Sequence, residues 1–422
     1  MSNNTGDAAG SEPDQPQESH WQRNARTLAA GNLLTNLGWT AGFAFLPLAV
    51  QAMGVQNNLE LWVGAMLFGY YCTSCAFTPV WGVLADHYGR KSMVLRAAFG
   101  MTIGFTLLSM ITDPLVFLIV LTITGLANGY IPASQALVAT TTPRRHAGGA
   151  LALTQAGAWA GTMLGPLAGA ALLGMLPGIH ALYALTAATI LAAGLLALLM
   201  VREHHVRPDH ALRFDFRGDL KRLLAFPELR LLYCLSLLFA FTVIGSTAVV
   251  TLFTLQMMET QPGFGGLKVE TWVAITLSGF TMASIATLPV WGRVLNRHDT
   301  GRVMTVLLAG AVVTSLLLPL ARDPLELTVA RVLFALFVSG MAPALIRMIR
   351  DRAPKGMEAR TLSYGTAIQQ VGSATAPLIA GVLASYLGLR SYFWLASGLL
   401  LLGLVLWVRR ERVSAPDGTG AG

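Results

Sequence analysis

Charged residues are scarce in this chain. Of its 422 residues, 12% are Asp, Glu, Lys or Arg, whereas soluble domains carry about 25%. Because a soluble protein covers its surface with charge, the deficit excludes a soluble enzyme and a disordered chain. Cysteine is rare too, with three residues. Cys72 and Cys75 have the spacing of a redox motif, but they fall inside an apolar run, which favours simple packing.

Apolar residues make up 54% of the chain, and the mean hydropathy is +0.59. Eleven long runs contain no charge, and ten of them are each suited to one crossing by a helix of about 20 residues. The run 146–201 is twice as long and is interrupted by Gly174–Gly178, which indicates two crossings. The sequence therefore predicts an all-α membrane protein with twelve transmembrane helices.

Lys and Arg set the predicted orientation. With the N-terminus inside, 25 of the 29 lie in cytoplasmic loops and tails, as the positive-inside rule requires. The net charge of +8 is thus a topology signal, and we expect no nucleic-acid partner. No cleavable signal precedes the first helix. We expect a disordered cytoplasmic tail at 1–26, bundles at 27–201 and 230–408, a cytoplasmic linker at 202–229 with an amphipathic piece at 220–224, and a cytoplasmic tail at 409–422.

The two bundles are predicted from an internal repeat with an offset of 210 or 211 residues. Pro79-Val80-Trp81-Gly82 recurs as Pro289-Val290-Trp291-Gly292, and Asp113-Pro114-Leu115 recurs as Asp323-Pro324-Leu325. Chance matches are easy in Ala/Leu/Gly-rich sequence, but a collinear set that includes Trp argues against coincidence. Two six-helix halves related by an axis along the membrane normal place a cavity between them at the midplane.

The segment 82–91 reads GVLADHYGRK and resembles the loop signature of the major facilitator superfamily, with His87 in place of Arg. In that family the segment stabilises the state closed to the cytoplasm, so the resemblance makes it a cytoplasmic gate, with Gly82, Asp86, Gly89, Arg90 and Lys91 as its key residues. The alternative is that Arg90 and Lys91 only fix topology. The second copy, 292–299, has Asn296 in place of the acid, which favours topology alone.

The fifth predicted helix resembles the antiporter motif of the same family, which is associated with exporters. Its motif residues are Gly161, Gly165, Pro166 and Gly169, with Ala170 in place of the final glycine. A small-residue packing stripe is the alternative. The resemblance spans about 27–408 and is nearest to twelve-helix drug:proton antiporters. It implies a bacterial inner-membrane exporter of a drug-like compound or siderophore, monomeric and driven by protons.

Polar residues within the spans are the candidates for the transport pathway. Asn32, Asn36 and Trp39 share one face of the first helix. The other candidates are Gln155 on the fifth helix, Gln370 on the eleventh, and Arg331, which is a charge inside the tenth. Interhelical hydrogen bonding is the alternative for the neutral residues, and a structural contact is the alternative for Arg331. Amides, hydroxyls and one Arg suit a neutral or weakly anionic substrate.

No acid lies in the middle of a predicted span. Proton coupling usually needs a buried carboxylate, so Glu326, at the outer end of the tenth helix, is our candidate proton carrier. We expect no cofactor, metal or catalytic residue, because the inner loops carry Arg rather than a His/Asp/Glu cluster. A proton-coupled uptake symporter or facilitator for a small polar metabolite remains the main alternative. A channel would not explain the gate segment or the two similar halves, and a sensor would need a signalling domain.

Overall fold

A computed structural model describes residues 20–175, 178–203, 225–354 and 358–414, without the side chains of Pro79, Asp86, Arg144, Ile244, Ala248, 358–360 and 411–414. Within these ranges the secondary structure is helical, with one 3-10 turn at Phe264–Gly266 and no strand. The linker piece predicted at 220–224 and most of both predicted tails lie outside the described residues.

Eight helices form the first bundle. They are α1 (Trp21–Ala44), α2 (Leu46–Ala52), α3 (Leu59–Tyr88), α4 (Arg90–Leu108), α5 (Pro114–Ala127), α6 (Tyr130–Thr141), α7 (Arg144–Leu173) and α8 (His180–Met200). Two crossings are interrupted. The first crossing bends by 49° between α1 and α2, and Pro47 lies in the first turn after the bend. Proline has no N–H to donate to the preceding turn, so it favours a break of the helix at this point. Gly129, with φ of 131°, separates α5 from α6.

Six helices form the second bundle. They are α9 (Pro227–Thr260), α10 (Val269–Arg297), α11 (Thr300–Ser315), α12 (Pro324–Asp351), α13 (Glu358–Leu387) and α14 (Arg390–Ser414). Among the described residues, nine helical spans are long and apolar enough to cross a membrane, or ten with the bent pair α1–α2. The 30-residue α3 and the 16-residue apolar α11 occupy the two remaining positions of the predicted twelve.

The helical ends differ slightly from the predicted boundaries. Helix α1 begins at Trp21, so residues 21–26, predicted as tail, are helical. Helix α14 continues to Ser414, beyond the boundary predicted at 408. Both ends are basic and polar, and charge counting alone places a boundary at the membrane surface rather than at the last helical hydrogen bond.

The sequence repeat has a structural counterpart in both bundles. The Trp81 indole donates to the carbonyl of Leu126 at 2.9 Å, and the Trp291 indole donates to that of Leu336 at 2.6 Å. Each pair is separated by the same 45 residues. A buried indole N–H needs an acceptor, and each of these ties the end of one long helix to its neighbour in the same way.

The repeated Asp-Pro pair starts equivalent helices. Asp113 caps α5 by accepting from the backbone N–H groups of Leu115 and Val116, and Asp323 caps α12 by accepting from that of Glu326. Pro114 and Pro324 then occupy the first helical position, where the missing N–H costs nothing. Both halves thus begin their fourth crossing with the same local chemistry.

Helix packing follows the same pattern twice. Helix α1 lies along α7 and α8, and α9 lies along α13 and α14; α3 packs on α5, and α10 packs on α12. Between the bundles, α3 contacts α13 and α10 contacts α7. These two cross-bundle contacts are exchanged by the pseudo-twofold axis, as expected for two halves that move against each other.

Candidate functional site

The gate segment forms the tight connection between α3 and α4. Gly89 ends α3 and precedes α4 with φ of 90° and ψ of 151°, a conformation that a residue with a Cβ rarely adopts. Gly82 is exposed, and no neighbouring helix comes within 4 Å of the position that its Cβ would occupy. The side chain of Asp86 lies outside the described residues, so its part in a gate stays a prediction.

Glu203, which lies more than 110 residues later in the chain, binds the connection between α3 and α4. The Glu203 carboxylate accepts from the backbone N–H of Arg90 at 3.0 Å and from that of Lys91 at 2.7 Å. It thereby caps the N-terminus of α4, where negative charge is favoured. In return, the Lys91 ammonium donates to the carbonyls of Leu198 and Val201 at the end of α8, at 2.9 and 2.6 Å. The gate segment is thus clamped to the last helix of its own bundle.

The bundles meet closely at the end away from the gate. A Cβ on Gly64 of α3 would lie 2.5 Å from the carbonyl oxygen of Pro377 in α13, and a Cβ on Gly381 would lie 2.5 Å from that of Glu60. On the other side of the axis, the Ser278 hydroxyl of α10 donates to the carbonyl of Met163 in α7 at 2.7 Å. These contacts lie near the start of α3 and α10 and the end of α7 and α13.

One hydrogen bond joins the bundles on the gate side of their middle. Gln370 of α13 accepts from the Thr78 hydroxyl of α3 at 3.2 Å, roughly three turns before the α3 terminus at Tyr88. Beyond that bond, Val80 is 40% exposed, and its repeat partner Val290 is 45% exposed. Gly292, like Gly82, has no neighbouring helix within 4 Å of its Cβ position. The described contacts between α3 and α13 therefore run from the far end of the bundles to the level of Thr78 and Gln370.

The antiporter-like motif lies inside the first bundle, against α1. A Cβ on Gly161 would overlap the carbonyl oxygen of Leu33, and a Cβ on Gly165 would overlap the Thr40 hydroxyl. A Cβ on Gly169 would lie 2.8 Å from the ring of Phe45, and Pro166 is buried within α7. The glycine stripe thus allows backbone contact between α1 and α7. Any role in setting transport direction stays a prediction.

The polar face of α1 is packed against its neighbours. Asn32 is fully buried; its amide donates to the carbonyl of Thr154 at 3.1 Å and accepts from the Ser134 hydroxyl at 2.8 Å. Asn36 is 7% exposed and donates to the backbone carbonyl of Asn32. In this conformation Asn32 makes the interhelical hydrogen bonds that the alternative interpretation expects, whereas the described side-chain bond of Asn36 lies within α1. Their part in the pathway stays a prediction.

Trp39 and Gln155 are half-buried. Trp39 stacks on Phe43 with ring centroids 4.6 Å apart, and its indole donates to the Tyr70 hydroxyl at 3.1 Å. Tyr71 packs edge-on against Trp39. Gln155 of α7 accepts from the side-chain amide of Gln135 in α6 at 2.5 Å. An aromatic cluster and an amide pair therefore occupy the first bundle, and they present flat apolar surfaces beside a few polar groups.

Arg331 is the most unusual residue of the second bundle. It is 1% exposed, its guanidinium donates to the Ser246 hydroxyl at 2.7 Å, and it lies 4.5 Å from the centroid of the Phe280 ring. Its buried Nε has no hydrogen-bond partner. A cation within an apolar bundle is costly, and Arg331 makes no ion pair with a described carboxylate. The structure places it inside the bundle, between α9, α10 and α12.

Glu326 is exposed in the first turn of α12. Its carboxylate accepts from the backbone N–H of Arg322 at 2.8 Å, while its own N–H donates to the Asp323 carboxylate at 2.8 Å. Together with Asp323, it satisfies free backbone donors at the start of the helix. A proton-carrying role for Glu326 stays a prediction beside this visible capping role.

Sequence reasoning missed Glu203. The available signal was an acid directly after the α8 crossing, among residues that are otherwise basic, but nothing in the sequence indicates that it reaches a turn more than 110 residues earlier. All three cysteines are free thiols. Within the described ranges, no group of three or more His, Cys, Asp or Glu side chains is placed to hold a metal ion.

Comparisons with known proteins agree with this architecture. The family model described as the Major Facilitator Superfamily matches residues 28–269 and 270–421. Multidrug resistance protein MdtG of Rahnella sp. (strain Y9602) is 28% identical over 410 residues, covering 95% of this chain and 97% of the relative. MdtG of Klebsiella pneumoniae (strain 342) is 28% identical over 406 residues, covering 94% and 97%.

Solved structures share the fold at low identity. The nucleoside transporter NupG superposes with a TM-score of 0.78 at 12% identity, covering 92% of this chain and 99% of the other. The human organic anion transporter MFSD10 (TETRAN) gives 0.67 at 17% identity, covering 93% and 100%, and a D-xylose-proton symporter gives 0.73 at 12%, covering 92% and 97%. With the family match along nearly the whole chain, the twelve-position two-bundle fold makes this protein a member of the major facilitator superfamily, a multi-pass membrane transporter and not an enzyme.

Proposed function

We propose that this transporter exports a small organic molecule, a drug-like compound or a siderophore, by alternating access. The observation that carries the proposal is its similarity, over more than nine-tenths of both chains, to proteins named multidrug resistance protein. The glycine–proline motif of α7, seated against α1, supports export over uptake through the family resemblance of 161–170.

The geometry of the two bundles supports alternating access. They touch at Gly64–Gly381 and Ser278–Met163, whereas no described neighbouring side chain or backbone lies within 4 Å of the Cβ positions of Gly82 and Gly292. With both termini in the cytoplasm, as the distribution of Lys and Arg favours, the contacts at Gly64 and Ser278 close the outer end of the space between the bundles. Rocking each bundle about the closed contacts would exchange the two openings.

The residues between and beside the bundles indicate the substrate class. Amides, hydroxyls and the aromatic cluster around Trp39 suit a molecule with flat apolar surfaces and a few polar groups. No described acid is buried within the spans, so a strongly cationic substrate lacks a counter-charge. We therefore favour a neutral or weakly anionic compound, moved by a monomer in a bacterial inner membrane against proton entry.

Transport into everted membrane vesicles tests direction and substrate together. We expect an inward-acid gradient to drive accumulation of neutral or anionic fluorescent antibiotics, or of a hydroxamate siderophore, and a protonophore to abolish it. Vesicles from cells that lack the chain are the control. Gradient-driven accumulation confined to right-side-out vesicles would contradict export and identify an uptake symporter.

A further inference from the structure

Tyr71 of α3 lies on the face of the first bundle that meets the second. Gly64 and Thr78, which contact Pro377 and Gln370 of α13, are each seven residues away from it. Because seven residues make almost two helical turns, the three positions share one face of α3. We propose that Tyr71 determines specificity, its ring and hydroxyl binding a planar aromatic substrate that carries an oxygen acceptor. This inference rests on the export proposed above and narrows its substrate class.

The position of Tyr71 along its helix places it in the middle of the crossing. Helix α3 runs from Leu59 to Tyr88, so Tyr71 lies about 18 Å from the first residue and about 25 Å from the last, at 1.5 Å per residue. The substrate sites of transporters built from two repeats lie near the bilayer midplane, between the halves. Tyr71 satisfies both conditions, since it combines this depth with the face that meets α13.

The Tyr71 side chain offers a supported ring and a free hydroxyl. The ring is half-buried and packs edge-on against the Trp39 indole, with centroids 6.4 Å apart and planes at 71°. The Trp39 N–H already donates to the Tyr70 hydroxyl, so the indole supplies its apolar surface. The Tyr71 hydroxyl bonds no residue that the structure describes. A flat ring bearing an oxygen would satisfy both features, by stacking on the phenol and accepting from its hydroxyl.

The second bundle has no such side chain at the equivalent position. With the offset of 210 residues, Tyr71 corresponds to Thr281 of α10. Thr281 is 6% exposed, and its hydroxyl donates to the Leu277 carbonyl within its own helix at 3.2 Å. The neighbouring buried Tyr70, in contrast, corresponds to another aromatic residue, Phe280. The shared scaffold thus uses an aromatic ring at the buried position and does not require one at position 71, which favours a ligand-binding role for Tyr71 over a structural one.

Thiol labelling tests this position without any substrate. In a chain that also carries C72S, C75S and C234S, Y71C should react with a membrane-impermeant methanethiosulfonate, because the reactive thiolate forms in water and not in lipid. V63C is the control, since Val63 lies on the same helix and is 1% exposed, and it should react at least about tenfold more slowly. Labelling of Y71C as slow as that of V63C, from both sides of the membrane, would overturn the proposal.

Transport into everted vesicles tests the substrate class. Nalidixic acid is the planar aromatic probe with ring oxygens, and ferrichrome is the aliphatic hydroxamate probe. For nalidixic acid, Y71L should raise KM about tenfold with kcat unchanged, since stacking and the hydroxyl are lost together, and Y71F should raise it about threefold. For ferrichrome, both variants should change KM less than about twofold. Y386L, at a tyrosine of α13 that is 83% exposed, is the matched control and should leave both KM values unchanged.

Failure of this inference is distinguishable from failure of the proposed export. An equal rise in KM for both probes in Y71L would make Tyr71 a structural residue. Unchanged KM for nalidixic acid in Y71L, or export of ferrichrome alone, would remove aromatic recognition and leave export intact. Where neither probe is exported, nalidixic acid should still slow the labelling of Y71C at least about threefold by covering the thiol. Labelling at the same rate with and without the probe would then overturn the inference.

Discussion

The two halves of this transporter share a scaffold and differ in the residues placed upon it. Trp81 and Trp291 make the same bond to the same position of a neighbouring helix, and Asp113 and Asp323 start equivalent helices. These repeated contacts are structural. The residues that break the repeat, by contrast, give the two halves different local chemistry.

The clearest difference is the buried cation. The position equivalent to Arg331 in the first bundle is Leu121, which is 1% exposed. Tyr70 in the first half corresponds to Phe280 in the second, and it is Phe280 whose ring lies against the guanidinium. One bundle therefore has an uncharged layer at this level, in which the Tyr70 hydroxyl is the polar group, and the other holds a charge without a described acidic partner.

The largest effect is expected from making the second half resemble the first at this position. In R331L, transport should fall at least about tenfold, while the thermal midpoint in detergent stays level or rises, because replacing a poorly compensated buried charge by an apolar residue is often neutral or stabilising. The volume-conserving L121M is the control and should retain transport. Full transport in R331L would make the arginine a structural residue.

The second expected effect concerns Glu326, which corresponds to Val116 in the first half. If it carries the proton, E326Q should lower proton-driven transport by at least about tenfold and leave exchange without a gradient intact. Proteoliposomes with and without an imposed pH gradient measure both rates. D323N, which preserves an N-cap oxygen, is the control. Undiminished gradient-driven transport in E326Q would remove Glu326 as the proton carrier.

The third concerns α7 and its repeat partner α13. Gly165 corresponds to Ala376, so the first half alone needs a glycine here. In G165A the new methyl would overlap the Thr40 hydroxyl, and we expect a loss of about 1–3 kcal/mol in unfolding free energy. T40A should restore part of it. G174A, whose Cβ would meet only the Ala171 carbonyl at 3.5 Å, should be neutral, and an equal loss there would contradict the packing argument.

The fourth compares the two loops that follow the repeated Trp-Gly pair. Glu203 accepts two backbone donors in the first half, whereas Asp299 accepts one, from Arg302, in the second. E203A should therefore cost about 1–3 kcal/mol and D299A about 1 kcal/mol or less. Denaturant unfolding in detergent measures both. The reverse order would show that the α4 clamp carries little of the bundle's stability.

The smallest expected difference is between the tryptophans themselves. W81F and W291F should each lose about 1 kcal/mol with the indole hydrogen bond. Arg96 lies 3.8 Å from the centroid of the Trp81 ring, and a weaker cation–π contact with Phe should add about 0.5 kcal/mol to the loss in W81F. Thermal midpoints compare the pair, and equal shifts would remove the cation–π contribution.

The sequence predicted the parts of this fold that depend on local or periodic signals. Gaps between charges predicted the crossings, and the repeat predicted the equivalence of Trp81 and Trp291. Asn32 and Asn36 were predicted from a polar face, but periodicity cannot tell whether a face meets a cavity or, as with Thr154, another helix. Glu203 was missed because its partners are distant in sequence.

The break between α5 and α6 was also missed. Charge counting gave one uninterrupted crossing there, because Asn128 and Gly129 are uncharged. Their effect is on backbone geometry: Gly129 has φ of 131°, and Asn128 bonds the Ser74 hydroxyl of α3. Hydropathy measures the cost of entering a membrane, and it is insensitive to such a local change of direction.

The buried charge of Arg331 also has an electrical consequence. An elementary charge that crosses the whole membrane changes its energy by about 2.3 kcal/mol per 100 mV. Arg331 is fixed within its bundle by Ser246 and Phe280, so any rocking of that bundle carries the charge with it. If the motion spans a tenth of the electric field, a potential of 100 mV shifts the balance between the two openings by about 0.2 kcal/mol. If the bundles rock as proposed, membrane voltage biases the conformational cycle even when the substrate is neutral.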